Sequence, residues 1–184
     1  AHTILHNDFI VKPNEKIEQE INCNETCDKI VLNSKLSLDI FKKIYPTTVN
    51  KIYPHVVDTT NCVTIHSDFI ENSKEFDIII ACSNLIRIDK NNIFLIDVLK
   101  NPIFNKYKKI ILGPGFDIVV EGRKFNDIPN SQCIGLCEQK ECIEYISKSK
   151  VLLFPSFFDA NSNTVREAIF HKCLPLTTKN IGYY

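Results

Sequence analysis

Three short, unbroken apolar runs constrain this chain more than any other feature: DIIIAC at 77–82, KIIL at 109–112 and VLLF at 151–154. Each is too short to be a packed helix. None shows the in–out alternation of a strand with one wet face, so each reads as a strand buried on both sides of a parallel sheet. Helical periodicity fills the gaps between them. Asn91-Asn92 precede Ile93, Ile96 and Leu99 on one face; Cys142, Ile143 and Ile146 mark another helix; and Thr164 to Lys172 forms a third, followed by a short strand at 174–176. Strands alternating with helices predict a doubly wound, Rossmann-like α/β parallel sheet.

The first third repeats this alternation less clearly. Pro13-Asn14 open a helix with Ile17 and Ile21 on one face, and Lys29 to Leu32 reads as a strand. Asn33-Ser34 cap a helix bearing Leu36, Ile40, Phe41 and Ile44, and Asn50 to Val57 is a further strand. Residues 58–74 are polar and turn-rich, so the expected division is a first domain over 1–57, a linker over 58–74 and a second domain over 75–184.

Composition excludes several classes of function. The 22 basic residues balance 22 acidic ones, giving zero formal net charge. Binding nucleic acid or a membrane surface by bulk charge needs a positive excess, so neither is expected. No apolar run approaches the roughly 18 residues of a membrane helix. The opening AHTILHNDF lacks the basic-then-apolar layout of a signal peptide, and the expected compartment is the cytoplasm. A start on Ala in a chain without Met points to a piece of something longer. Eight cysteines in a chain with a good apolar core read as free thiols acting as small hydrophobes. Neither they nor the five histidines fall at zinc-ligand spacing, so no metal site is expected.

In a doubly wound sheet, ligands bind beyond the carboxyl ends of the strands. The residues placed there are Ser83, Asn84, Arg87 and Lys90 after the first run, the Gly113-Pro114-Gly115 turn after the second, and Ser156, Asp159, Asn161 and Asn163 after the third. A helix opening at Thr164 then carries Glu167 one turn in. Cations, a glycine turn and a helix N-terminus suit a diphosphate, and a carboxylate one turn along suits vicinal ribose hydroxyls. Each element also has a plainer reading. Thr164-x-x-Glu167 fits a capping box, the glycines fit an ordinary turn, Asp159 fits an Asx turn, and Lys90 fits a surface charge.

The order of these elements resembles the GT-B glycosyltransferases, glycosyltransferase family 4 in particular. PSFFDANSNTVREAIFHKCLPLTT is similar to their donor-binding stretch, with Asp159-x7-Glu167-Ala168 where the family usually has Glu-x7-Glu. CSNLIRIDKNN resembles their Gly-Arg-x4-Lys-Asn segment, with Asn84 where an Arg is expected and Arg87 nearby. ILGPG resembles the second strand and its glycine turn, and DKIVLNSKLSLDIFKKIYPTTVNKIYPHVVD the end of the N-terminal domain and the linker. The resemblance implies half of a GT-B enzyme, incomplete at both ends, that transfers a sugar with retention and without metal. UDP- or GDP-sugar is the implied donor, with no other cofactor, and the acceptor (glycan, protein or lipid) is left open.

The resemblance also implies roles. Glu167 would hold the ribose and Asp159 the donor-sugar hydroxyls. Backbone N–H groups from Asn161 to Thr164 would meet the sugar and diphosphate, and Lys90 would neutralise the diphosphate. His6, in TILHND, would lie beside the sugar. A GT-B sugar-nucleotide epimerase shares the architecture but needs carboxylate acid/base pairs across the cleft. A non-catalytic nucleotide- or protein-binding α/β module is the reading from another class.

Overall fold

A computed structural model describes residues 31–32, 34–44, 55–56, 73–159 and 162–181 of the 184-residue chain. The expected helix after Pro13 and the site candidates His6 and Asn161 lie outside the described residues. The chain divides into two compact units. One comprises Ala1–Cys62, Phe158–Ser162 and Lys179–Tyr184; the other comprises Val63–Phe157 and Asn163–Thr178.

In the first unit, strands β1 (Val31–Leu32) and β2 (His55–Val56) pair in parallel, with Val31 opposite His55. Helix α1 (Lys35–Ile44) begins where the sequence places its cap. Ser34 Oγ accepts from the Ser37 N–H at 3.1 Å, and Lys42 and Lys43 occupy the last turn, where the helix dipole favours cations. Phe41 is fully buried on its inner face.

The second unit holds a five-stranded, all-parallel sheet. Its strands are β3 (Phe76–Ala81), β4 (Lys109–Leu112), β5 (Ser131–Ile134), β6 (Ser149–Phe154) and β7 (Leu174–Thr177), in the order β5-β4-β3-β6-β7. The chain winds outward in one direction from β3 to β5, then crosses back to β6 and out to β7. The topological switch therefore falls between β3 and β6. Ile79 pairs with Ile110 on one side and Leu152 on the other.

The unbroken apolar runs are explained by cover on both faces. Ile78, Ile80 and Ile111 pack with Leu95, Ile96 and Leu99 of helix α2 (Asn92–Leu99), and with Phe125 and Ile128 from the β4–β5 connection. On the opposite face, Ile79 and Ile110 are buried, as are Ile143 and Ile146 of helix α3 (Gln139–Ser147). Helix α4 (Asn163–Phe170) buries Val165 and Ala168.

Two local expectations change. Asn91 does sit at the N-cap of α2, but in left-handed backbone (φ 54°) and with no side-chain capping bond. Strand β5 escapes the apolar-run criterion because it is SQCI, half-buried at the sheet edge with Gln132 exposed. An edge strand has no neighbouring strand on one side, so its residues are less buried and carry a weaker hydrophobic signal.

Two polar groups lock the amino ends of the strands. Lys109 is fully buried, and its Nζ donates to the carbonyls of Phe104 (2.7 Å), Tyr107 (2.9 Å) and Pro129 (2.7 Å). Asp77 accepts from Lys150 Nζ and from the Lys108 N–H, both at 2.8 Å, tying the starts of β3, β4 and β6 together. No helix among the described residues is long and apolar enough to cross a membrane.

Candidate functional site

Beyond the carboxyl ends of β3, β4 and β5 lies a cleft of about 330 Å³. Its floor is the glycine turn. Gly113 has φ 129°, and its N–H is shared between the carbonyls of Ile134 (2.9 Å) and Gly135 (3.2 Å). A Cβ there would overlap the Cys82 carbonyl oxygen, so only glycine lets the ends of β3 and β4 meet this closely. Cys82 and Ser83 form one wall; its thiol donates to the Asn84 carbonyl at 3.1 Å. The β5–α3 loop, Gly135 to Cys137, and the start of α3 form the opposite wall.

The first turns of α4 close the cleft with Asn163, Thr164 and Glu167. The helix begins at Asn163, one residue before the proposed capping box, so Glu167 lies in its interior and does not close its end. Glu167 is 6% exposed, and its Oε1 accepts from Gln139 Nε2 at 3.3 Å. Among the described lining residues Glu167 is the one charged side chain. Burial is the main cause that pushes the Cys142 thiol up to about 12, with the nearby Cys137 and then Glu167 adding to it.

The expected site residues distribute unevenly. Gly113, Asn163, Thr164 and Glu167 line this cleft together. Gly115 (φ 94°) packs against Ile86, and Asn84 Oδ1 accepts from the Ile86 N–H at 3.1 Å, closing an Asx-type turn. Arg87 makes a two-pronged ion pair with buried Asp89 (2.9 and 2.8 Å) and lines a separate hollow with Ile88 and Phe94. Lys90 closes a 3₁₀ turn, with its Nζ 5.5 Å from the centre of the Phe154 ring. Ser156 is buried and donates to the Asp89 carbonyl at 3.1 Å. Asp159 belongs to the first unit, where its N–H donates to the Asn180 carbonyl at 3.2 Å.

Gly135, Leu136, Cys137, Gln139 and Cys142, none of them an expected site residue, form a whole wall. They follow β5, a strand that carries no apolar run. Among the described residues no group of three or more His, Cys, Asp or Glu is placed to hold a metal ion, and the five described cysteines are free thiols.

No protein-family model matches the sequence, and no curated protein is similar to it at the sequence level. Solved structures are similar in fold. WaaG, a glycosyltransferase involved in lipopolysaccharide biosynthesis, matches over 83% of this chain and 45% of its own, with TM-score 0.54 and 17% identity. HepE from Anabaena, solved with UDP-glucose, matches over 90% and 49%, with TM-score 0.60 and 15% identity. The pneumococcal O-GlcNAc transferase GtfA, solved with UDP and GlcNAc, matches over 92% and 33%, with TM-score 0.61 and 16% identity. The chain spans half or less of each of these proteins. Its parallel α/β sheet, with a cleft at the carboxyl ends of the strands, is the fold of part of a GT-B glycosyltransferase.

Proposed function

We propose that this chain is the donor-binding part of a retaining glycosyltransferase that takes its sugar from a nucleoside diphosphate-sugar, UDP- or GDP-linked, without a metal. The observation that carries the reading is the buried Glu167 carboxylate inside α4, held by Gln139 and facing a cleft floored by Gly113. A carboxylate excluded from bulk water gains from two vicinal hydroxyl donors, as a ribose supplies. The N–H groups at the start of α4 and the hydroxyls of Ser83 and Thr164 receive the diphosphate. The partial positive charge of the helix N-terminus stabilises the leaving diphosphate as its negative charge grows. Lys90 adds a cation to this region of the second unit, while Asp159 and His6 take the donor-sugar roles that the resemblance implies. The acceptor is a glycan, protein or lipid.

A second reading is a nucleotide-binding module without transferase activity. It is favoured by a cleft whose described lining holds no Lys or Arg, and by the engagement of Arg87 with Asp89. Calorimetric titration with UDP, GDP and ADP, followed by donor-sugar hydrolysis with and without a chelator, separates the two. Saturable binding of one diphosphate, lost in Glu167→Ala, supports the donor site. Chelator-insensitive hydrolysis of the matching sugar donor then supports the transferase. Binding unaffected by Glu167→Ala, or none at millimolar ligand, overturns the site.

A further inference from the structure

The wall of the cleft at the start of α3 holds two thiols, and the helix start brings them to the same side. Glu138 is the N-cap of α3, in extended backbone (ψ 155°), so Cys137 precedes the cap and Cys142 is the fourth helical residue. Side chains at these two positions often pack on each other at a helix start, as a pair of hydrophobes. The first turn is intact, with the Cys142 N–H donating to the Glu138 carbonyl at 2.9 Å. Here the paired side chains are cysteines, near enough that each thiol acts on the titration of the other. Both thiols line the cleft, on either side of Gln139, which holds Glu167. The other described cysteines differ: Cys82 bonds the Asn84 carbonyl two residues along its own wall, Cys133 is half-buried in β5, and Cys173 is buried in the core.

We propose that Cys137 and Cys142 form a reversible dithiol–disulfide pair in the wall of this cleft, oxidised by a peroxide, and that the disulfide form binds nucleoside diphosphate less tightly. The second half rests on the donor-site reading above; the first does not. Cys137 is the attacking group, because burial raises its thiol less than that of Cys142, which is pushed up to about 12. The Cys137 thiolate attacks one peroxide oxygen, and the O–O bond breaks. With one proton taken up, this leaves a sulfenic acid and water. The Cys142 sulfur then attacks the Cys137 sulfur and expels hydroxide, which leaves as water with the Cys142 proton. In sum two thiols and one peroxide give one disulfide and two waters, with two electrons passing from sulfur to oxygen.

Burial raises both thiols above their ordinary range, so the pair stays reduced under mild conditions and reacts faster as pH rises. A disulfide fixes the two sulfurs about 2 Å apart, which moves the Gly135 to Glu138 loop toward α3. That loop carries Gly135 and Leu136 of the cleft wall, and Gln139 follows it directly.

The test treats the chain, in a Cys133→Ser background, with hydrogen peroxide, alkylates the remaining thiols and digests after Lys and Arg. Cys137 and Cys142 fall on separate peptides, 125–140 and 141–148. The expected result is a reductant-sensitive link between those two peptides. It should be absent in Cys137→Ser and in Cys142→Ser, retained in Cys82→Ser, and form faster at pH 9 than at pH 7. Full alkylation of both thiols after peroxide, or a link from Cys137 to Cys82, overturns the assignment. Titration of the same samples with UDP and GDP should show about tenfold weaker binding after oxidation, restored by dithiothreitol. Equal affinity in both forms overturns the gating. Absence of binding in the reduced form overturns the donor reading and the gating together, while the peptide link still decides the thiol pair by itself.

Discussion

Replacing Gly113 by alanine tests whether the cleft floor depends on direct contact between the backbones of two strand ends. At φ 129° an L-residue is strained, and the added methyl would overlap the Cys82 carbonyl oxygen with Leu85 Cγ 3.4 Å behind it. The turn cannot rotate freely out of the way, because the Gly113 N–H is anchored to Ile134 and Gly135. Backbone strain and overpacking each cost about 1–3 kcal/mol, so Gly113→Ala should lose about 3 kcal/mol. For a chain of this length that lowers the melting midpoint by about 6–12 °C. Gly122→Ala is the control: it shares the positive φ (76°) but has no atom within 4 Å of the new methyl. It should lose only about 1 kcal/mol, the strain part alone. Urea unfolding of both variants measures the difference. Equal losses, or a Gly113→Ala variant as stable as the parent, would refute the argument from backbone contact.

Two further perturbations probe the buried polar groups. The hydrogen bond from Lys150, then that from the Lys108 N–H, holds the Asp77 carboxyl below its ordinary range. Its folded-state value lies below the unfolded one, so its stabilisation is present above about pH 4 and disappears as pH falls through the folded value. Asp77→Asn should therefore lose about 1 kcal/mol at pH 7, a figure reduced by partial solvent exposure, with the gap narrowing as pH falls below about 4. A gap that does not narrow on acidification contradicts it. Lys109→Met keeps the volume but strips the Phe104, Tyr107 and Pro129 carbonyls of their shared donor. Burial draws the Lys109 ammonium below its ordinary range, which opposes those bonds. If the bonds win, the variant unfolds about 2–4 kcal/mol more easily. A Met variant as stable as the parent would show that desolvation cancels them.

The strands β3, β4 and β6 were legible in the amino-acid order because burial on both faces leaves an unbroken apolar run, a purely local mark. Gly113 was legible for a related reason, since a strand end that must turn against its neighbour's backbone tolerates no side chain. The alternation of such runs with helical periods was enough to determine a parallel α/β sheet, and the place of Asn163, Thr164 and Glu167 after β6 put them at its ligand-binding edge. Local order could not decide which partner each polar group takes. Glu167 could close its helix or face a cleft. Its bond to Gln139, 28 residues away, decided for the cleft. Arg87 could serve an anion or a carboxylate, and Asp89, brought beside it by a 3₁₀ turn, took it. The wall from Gly135 to Cys142 exists only because β5 pairs with β4 at the sheet edge, where half-exposure removes the apolar signature. Sequence by itself thus determined the elements whose signal is their own burial. The tertiary structure decided the site, because a site is made of contacts between segments far apart along the chain.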